Sequence, residues 1–190
     1  MKRNWIILIA VLVTIAVVII GNRTGGSGPT PPAASPDAAV SALPDTAPKQ
    51  GAMAPAFELS SLEDGGTTYQ VGGARDKVVL VNFWASWCWP CQQEAPDLVQ
   101  TFDKYKDRLD LYAVNATKYD KARNAKVFVK EQGFTFPVLT DADGTVGDAY
   151  VVNNYPTSFI IDRTGKIVAR IDGMTTMENL EKILNPLLEG

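Results

Sequence analysis

Apolar positions along this chain are arranged on three different scales. Residues 5 to 20, WIILIAVLVTIAVVII, form an unbroken apolar block whose only polar member is Thr14. As a helix the block covers about 24 Å, somewhat more with Gly21, on the short side of a ~30 Å bilayer core. From Asn22 to about Ala54 no period survives. TGGSGPTPPAASPDAAVSALPDTAPKQ holds six of the twelve prolines and cannot bury enough apolar surface to offset its ordering entropy.

Beyond residue 55 the apolar positions return in short, patterned runs. APAFELSSLEDGGTTYQV predicts a hairpin around Glu63-Asp64-Gly65-Gly66. KVVLVNFWA (77–85), apolar except for Asn82, predicts a strand covered on both faces. Leu98, Phe102 and Tyr105 recur at helical spacing and predict a helix from about Trp89 to Tyr105, kinked at Pro96. LDLYAVNAT (109–117) reads as a strand, and DKARNAKVFVKEQG as a helix stopped by Gly133. FPVLTD, TSFIID and KIVARID supply three strands, the last two joined across Arg163-Thr164-Gly165. TTMENLEKIL predicts a helix with a Thr175/Glu178 capping box and an apolar face of Met177, Leu180, Ile183 and Leu184. This order of elements predicts an α/β fold: a central mixed sheet flanked by helices, with an N-terminal β-hairpin extension.

The three scales divide the chain into an uncleaved transmembrane signal-anchor (1–21), a Pro/Gly/Ser-rich tether (22–51) and a folded domain (52–190). Lys2 and Arg3 precede the apolar block and only Arg23 follows closely, so the expected orientation is single-pass, with the N-terminus cytoplasmic and the domain extracytoplasmic. A cleaved signal peptide is the competing reading. Its apolar region usually runs about 7–15 residues and ends at a small-x-small site, which is not evident here. Either reading exports the domain. A flexible tether of this length spans roughly 30 Å, keeping the domain near the membrane surface.

Composition narrows the chemistry mostly by exclusion. The 190 residues carry a net charge of −3, with no basic footprint for a nucleic acid. There is no histidine, which excludes a Ser-His-Asp triad and any His-ligated metal. Two cysteines cannot close a tetrahedral zinc site, and Gln92 after Cys91 rules out the C-x-x-C-H pattern of covalent haem attachment. Both cysteines fall in NFWASWCWPC (82–91), at the end of the most apolar predicted strand and the start of a predicted helix. That position favours negative charge, hence a thiolate at Cys88. Cys91 follows one turn later. Cys88 can attack a disulfide and Cys91 can displace the product. A static disulfide is the plainer alternative, but a loop this short is an inefficient staple.

VNFWASWCWPC resembles the thioredoxin active-site segment. The wider pattern over residues 52 to 190 resembles the membrane-anchored ResA/TlpA-type thiol–disulfide oxidoreductases, on APAFEL, WCWPCQQEAP, AYVVNNYPTSFIIDRTGKIV and GMTT. The resemblance implies a thioredoxin-like fold and disulfide reduction outside the cytoplasmic membrane. Apocytochrome c is the usual substrate, and no cofactor or metal is implied beyond the redox-active Cys88–Cys91 pair. A membrane thiol electron donor is expected to re-reduce that pair.

The resemblance also implies a cis Tyr155-Pro156 bond, exposing the Tyr155 backbone to pair with a substrate peptide, and a role for Glu94 in redox proton handling. Asn82 stands where thioredoxins carry a buried Asp. Glu94 is therefore expected to act as base for Cys91, its charge opposing the helix dipole. Trp89 and Pro90 fill the dipeptide between the cysteines. Trp89 either contacts substrate or covers the disulfide, while Trp84 and Trp87 are expected to pack, Trp87 also near the substrate groove. A peroxiredoxin would need Pro-x-x-x-Thr/Ser-x-x-Cys, whereas Val81 and Ala85 precede Cys88 and Trp84 and Cys88 precede Cys91 at those spacings. A disulfide oxidase or isomerase and a non-catalytic thioredoxin-fold binding module are the other readings of the same motif.

Overall fold

The computed structural model describes residues 46–189. The predicted anchor and most of the tether lie outside the described residues. No helix among the described residues is long and apolar enough to cross a membrane.

Seven strands form one mixed sheet among these residues: β1 (Phe57–Ser61), β2 (Thr68–Val71), β3 (Val78–Trp84), β4 (Leu109–Asn115), β5 (Val138–Thr140), β6 (Thr157–Ile161) and β7 (Ile167–Asp172). Their order is β2-β1-β5-β4-β3-β6-β7. β3, β4 and β5 run parallel, the β1–β2 hairpin joins antiparallel through β5, and β6 and β7 continue antiparallel from β3. Four helices complete the domain: α1 (Trp89–Tyr105), α2 (Ala122–Gln132), α3 (Thr145–Ala149) and α4 (Met177–Leu188).

The period of a strand explains where the site lies. All seven residues of β3 are buried, as its continuous apolar run requires. Val78, Leu80 and Trp84 pack in one cluster with Leu98 of α1, Phe128 of α2 and Leu180 and Leu184 of α4. Val79, Val81 and Phe83 point the other way, toward Tyr112, Val146, Tyr150 and Phe159. Asn82, falling between Leu80 and Trp84 in that alternation, faces α1. A polar group is thereby delivered into the helix-covered layer.

The ends of the elements show how local chemistry and tertiary contacts divide the work. Gly133 stops α2 as expected, at φ 68°, its N–H bonded to the carbonyls of the last turn. α1 keeps its predicted bounds and continues past Pro96. The capping box shifts by one residue: Thr176, not Thr175, caps α4 by accepting from the Asn179 N–H. Thr175 is buried and takes the Asn179 side chain, while Glu178 pairs with Lys182 on the next turn. A second Thr beside the first made the register ambiguous. α3 was not anticipated, because five residues carry no readable helical period; buried Asp141 instead accepts from the N–H groups of Val146 and Gly147.

The folded unit also begins before residue 52. Thr46 bridges to Met53, the Gly51 N–H donates to Ile167 O, and the Ile167 N–H donates to Ala52 O. Its composition disguised this segment, whose partner is the start of β7 more than a hundred positions away.

Candidate active site

β3 ends at Trp84, and the chain turns through Ala85-Ser86-Trp87 into α1. Both the Ser86 N–H and its hydroxyl donate to Asp120, at 2.6 Å each, and Asn115 donates to the same carboxylate at 2.9 Å. The turn is thus fastened to the loop after β4. Cys88 is the N-cap of α1, with an extended backbone (φ −84°, ψ 105°), and its Sγ accepts the Cys91 N–H at 3.1 Å. Pro90 lies in the first turn, where no N–H is needed. Cys88 and Cys91 are joined in a disulfide, Cα atoms 5.3 Å apart.

Exposure does not distinguish the two sulfur residues, at 5% and 4%. Position does. Cys88 receives the unpaired N–H groups at the start of α1, which favour its thiolate, whereas Cys91 is already inside the helix.

The register Phe83↔Thr157 sets the start of β6 beside the end of β3. Tyr155-Pro156, a cis peptide bond, therefore borders the cysteine loop. The Trp87 ring meets Tyr155 edge-on at 5.8 Å, and its Nε1–H donates to Tyr119 O at 3.1 Å. Trp87 is 60% exposed, so its expected packing role is corrected: only Trp84, stacked on Phe128, belongs to the core. Trp89 is also exposed, at 66%, and with Tyr119, Val151 and Met174 accounts for most of the exposed large apolar side chains among the described residues.

Behind the disulfide, Glu94 lies three residues after Cys91 on α1 and is buried. Asn82 donates to its Oε1 at 3.0 Å and the Thr175 N–H to its Oε2 at 3.4 Å; Asn82 also donates to Ser158. Burial outweighs the Thr175 hydrogen bond and, with help from the Asp97 charge, pushes the Glu94 carboxyl up to about 8. The expectation of a negative charge opposing the helix dipole is corrected accordingly. At neutral pH this group is mostly a neutral acid, because desolvation costs the carboxylate more than two donors return.

The residues matched by the AhpC/TSA family are 50–170, which hold β1 to β6, the first part of β7 and the cysteine pair. Thiol-disulfide oxidoreductase ResA of Bacillus thuringiensis subsp. konkukian (strain 97-27) is 37% identical over 138 residues, covering 72% of this chain and 78% of its own. The chain belongs to the AhpC/TSA family, as a thiol–disulfide oxidoreductase of the ResA type. Thioredoxin-like protein YneN of Bacillus subtilis (strain 168) is likewise 37% identical over 138 residues, covering 72% of this chain and 79% of its own. Among solved structures, one described as a thiol:disulfide interchange protein DsbE from Chlorobium tepidum superposes with a TM-score of 0.66 at 33% identity, covering 74% of this chain and 98% of that one.

As a ResA-type oxidoreductase it has a thioredoxin-like fold and protein-disulfide reductase activity. Thioredoxin-like oxidoreductases of this kind work through a redox-active cysteine pair. Cys88, Cys91, Pro90, Trp87, Trp89, Tyr155 and Pro156 converge at one end of the sheet, while Glu94 sits beneath them. Sequence reasoning missed Asp120, Tyr119, Thr175 and Met174. A general signal pointed to the first two: loops after the carboxyl ends of parallel strands line the site in an α/β sheet, and 116–121 follows β4. Met174 and Thr175 fall in the GMTT stretch that carries the family resemblance, but nothing in it indicated a place at the site.

Proposed function

We propose that this ResA-type protein is a membrane-tethered reductase acting outside the cytoplasmic membrane, anchored through residues 5–21, with apocytochrome c as its substrate. The observation that carries the reading is a helix-capping Cys88 backed, one turn beyond Cys91, by a buried carboxyl poised near thiol pKa values. The Cys88 thiolate attacks a substrate cystine, forming a mixed disulfide and releasing one substrate thiolate, which takes a proton. Cys91 then gives its proton to the minor fraction of Glu94 that is ionised at neutral pH, a fraction whose raised pKa makes it a base matched to a thiol. Cys91 attacks Cys88 Sγ, and the second substrate thiolate leaves. Two electrons and, after equilibration with solvent, two protons pass to the substrate. A membrane-borne dithiol protein re-reduces Cys88–Cys91.

The exposed side chains of Trp87, Trp89 and Tyr119 suit the apolar neighbours of a cystine in an unfolded chain, and the Tyr155 backbone offers strand-like pairing to the same segment. Because Trp89 is exposed, Trp89→Ala should leave Tm unchanged in a thermal melt. It should lower kcat/KM for a peptide disulfide about fivefold, equivalent to ~1 kcal/mol of aromatic contact.

The deciding experiment uses the full-length chain with Cys91→Ser, in cells blocked for haem attachment. A mixed disulfide with apocytochrome c is expected, and a membrane-impermeant maleimide should label the reduced wild-type pair in intact cells. Mixed disulfides only with other exported proteins would overturn the cytochrome part, and protection from maleimide would overturn the location.

A further inference from the structure

Arg170 lies on β7, away from the cysteines, yet all five of its N–H groups are engaged. In the β6–β7 ladder Phe159 pairs with Arg170 and Thr157 with Asp172, so these four side chains share one face of the sheet. The guanidinium lies over the Phe159 ring at 5.1 Å. Its Nε–H and one Nη2–H donate to Asp172, at about 3 Å. Nη1 donates to Tyr150 O at 3.0 Å and to Pro48 O at 3.4 Å, and Nη2 also donates to Val151 O at 2.9 Å. A planar fork that fills every donor position in this way has no equivalent in lysine.

What it holds is the chain entering the docking loop. Val151 has φ 49°, a left-handed conformation that a β-branched residue strongly disfavours. Its conformation is imposed by neighbours, since the Val151 N–H donates to Asp148 O while Arg170 takes the carbonyls on either side of it in the chain, 150 and 151. At the loop's far end the Thr157 hydroxyl donates to Asn154 O at 2.8 Å and lies 3.5 Å from the same Asp172 carboxylate. Between these two pinned ends run only Val152 and Asn153, and directly after Asn154 comes Tyr155-Pro156.

We propose that Arg170 is a positioning residue for disulfide reduction: with Asp172 it clamps residues 150–154 and so holds the Tyr155-Pro156 edge in the conformation that receives a substrate backbone. This rests on the reading of that edge as the docking site. Ordering the loop before encounter removes an entropic cost from binding, so loss of the clamp should be felt in substrate affinity and not at the sulfurs.

The test is insulin reduction by the wild-type chain and by Arg170→Met, Val151→Gly, their double variant and Tyr155→Ala. Arg170→Met should lower kcat/KM about tenfold, chiefly through KM, the scale of modest misplacement of a bound group. The equilibrium of Cys88–Cys91 with a dithiothreitol redox buffer, which reads only the sulfurs, should not move. Glycine adopts φ near 49° without a Cβ penalty, so Val151→Gly in the Arg170→Met background should recover most of the lost KM. An unchanged KM in Arg170→Met, a parallel shift of its redox equilibrium, or no recovery in the double variant would each overturn the clamp. If Tyr155→Ala leaves KM at the wild-type value, the docking reading itself falls; if KM rises there but not in Arg170→Met, only the clamp falls. Should Arg170→Met not fold, Asp172→Asn is read by the same criteria, with a smaller expected rise in KM.

Discussion

Cys91→Ser is expected to stop the reaction halfway, with the substrate held covalently on Cys88. Serine keeps the size of the side chain but cannot displace a disulfide sulfur, so the mixed disulfide formed by Cys88 has no internal route to resolution. Cys88→Ser should instead form no adduct, because the remaining thiol lies inside α1 and lacks the cap position that favours a thiolate. Both variants should lose steady-state reductase activity by on the order of 10⁴ or more, the scale seen when residues acting as a unit are removed. The distinction between them lies in the trapped species, read as a mass shift under non-reducing conditions. An adduct on Cys91 in Cys88→Ser, with none in Cys91→Ser, would reverse the assignment of attacking and resolving sulfur. Near-equal exposure of the two residues gives no steric argument for either order, so the experiment tests the electrostatic one directly.

What could be read in advance follows the range of the forces involved. β3 and α1 are strongly patterned, and their bounds were legible to within a residue. The cysteine pair and its place at a helix start were local in sequence, whereas the cis Tyr155-Pro156 bond across from it followed only from the family resemblance. The capping of α4 was misassigned because two adjacent threonines satisfy the same rule, and only the buried partners of Thr175 choose between them. Trp87 was expected to pack, yet it is exposed beside Ser86, whose hydrogen bonds to Asp120 join residues 34 apart and leave no trace in the local pattern. Glu94 is the most instructive case. Its position was legible, but its charge state was set by burial beneath the segment around Thr175, 81 residues away, and no pattern along the chain carries that information.

Stability against pH should expose that burial. The Glu94 carboxyl rises from an ordinary 4.5 to about 8 in the folded protein, so the folded state holds a proton that the unfolded chain has released. A raised folded pKa contributes stability that is fully present below the unfolded value and is lost as pH climbs through the folded one. At 1.36 kcal/mol per unit, oxidised wild-type protein should lose roughly 3–4 kcal/mol between pH 5 and pH 8 from this group. The window is unusually clean. The chain has no histidine, and the shifts of Asp172 and Glu178 are downward, toward their cationic neighbours Arg170 and Lys182, so their contributions vanish only in acid. Glu94→Gln keeps an oxygen to accept from Asn82 but cannot ionise. Urea denaturation of the oxidised variant should therefore be nearly flat over that range, and it should overtake wild type as pH approaches 8. The same substitution removes the proton acceptor for Cys91, and resolution of the mixed disulfide should slow by about 10²-fold, the lower end for a positioned general base. A wild-type stability curve that is level between pH 5 and pH 8 would return the Glu94 carboxyl to an ordinary pKa, too weak a base to take the proton of Cys91.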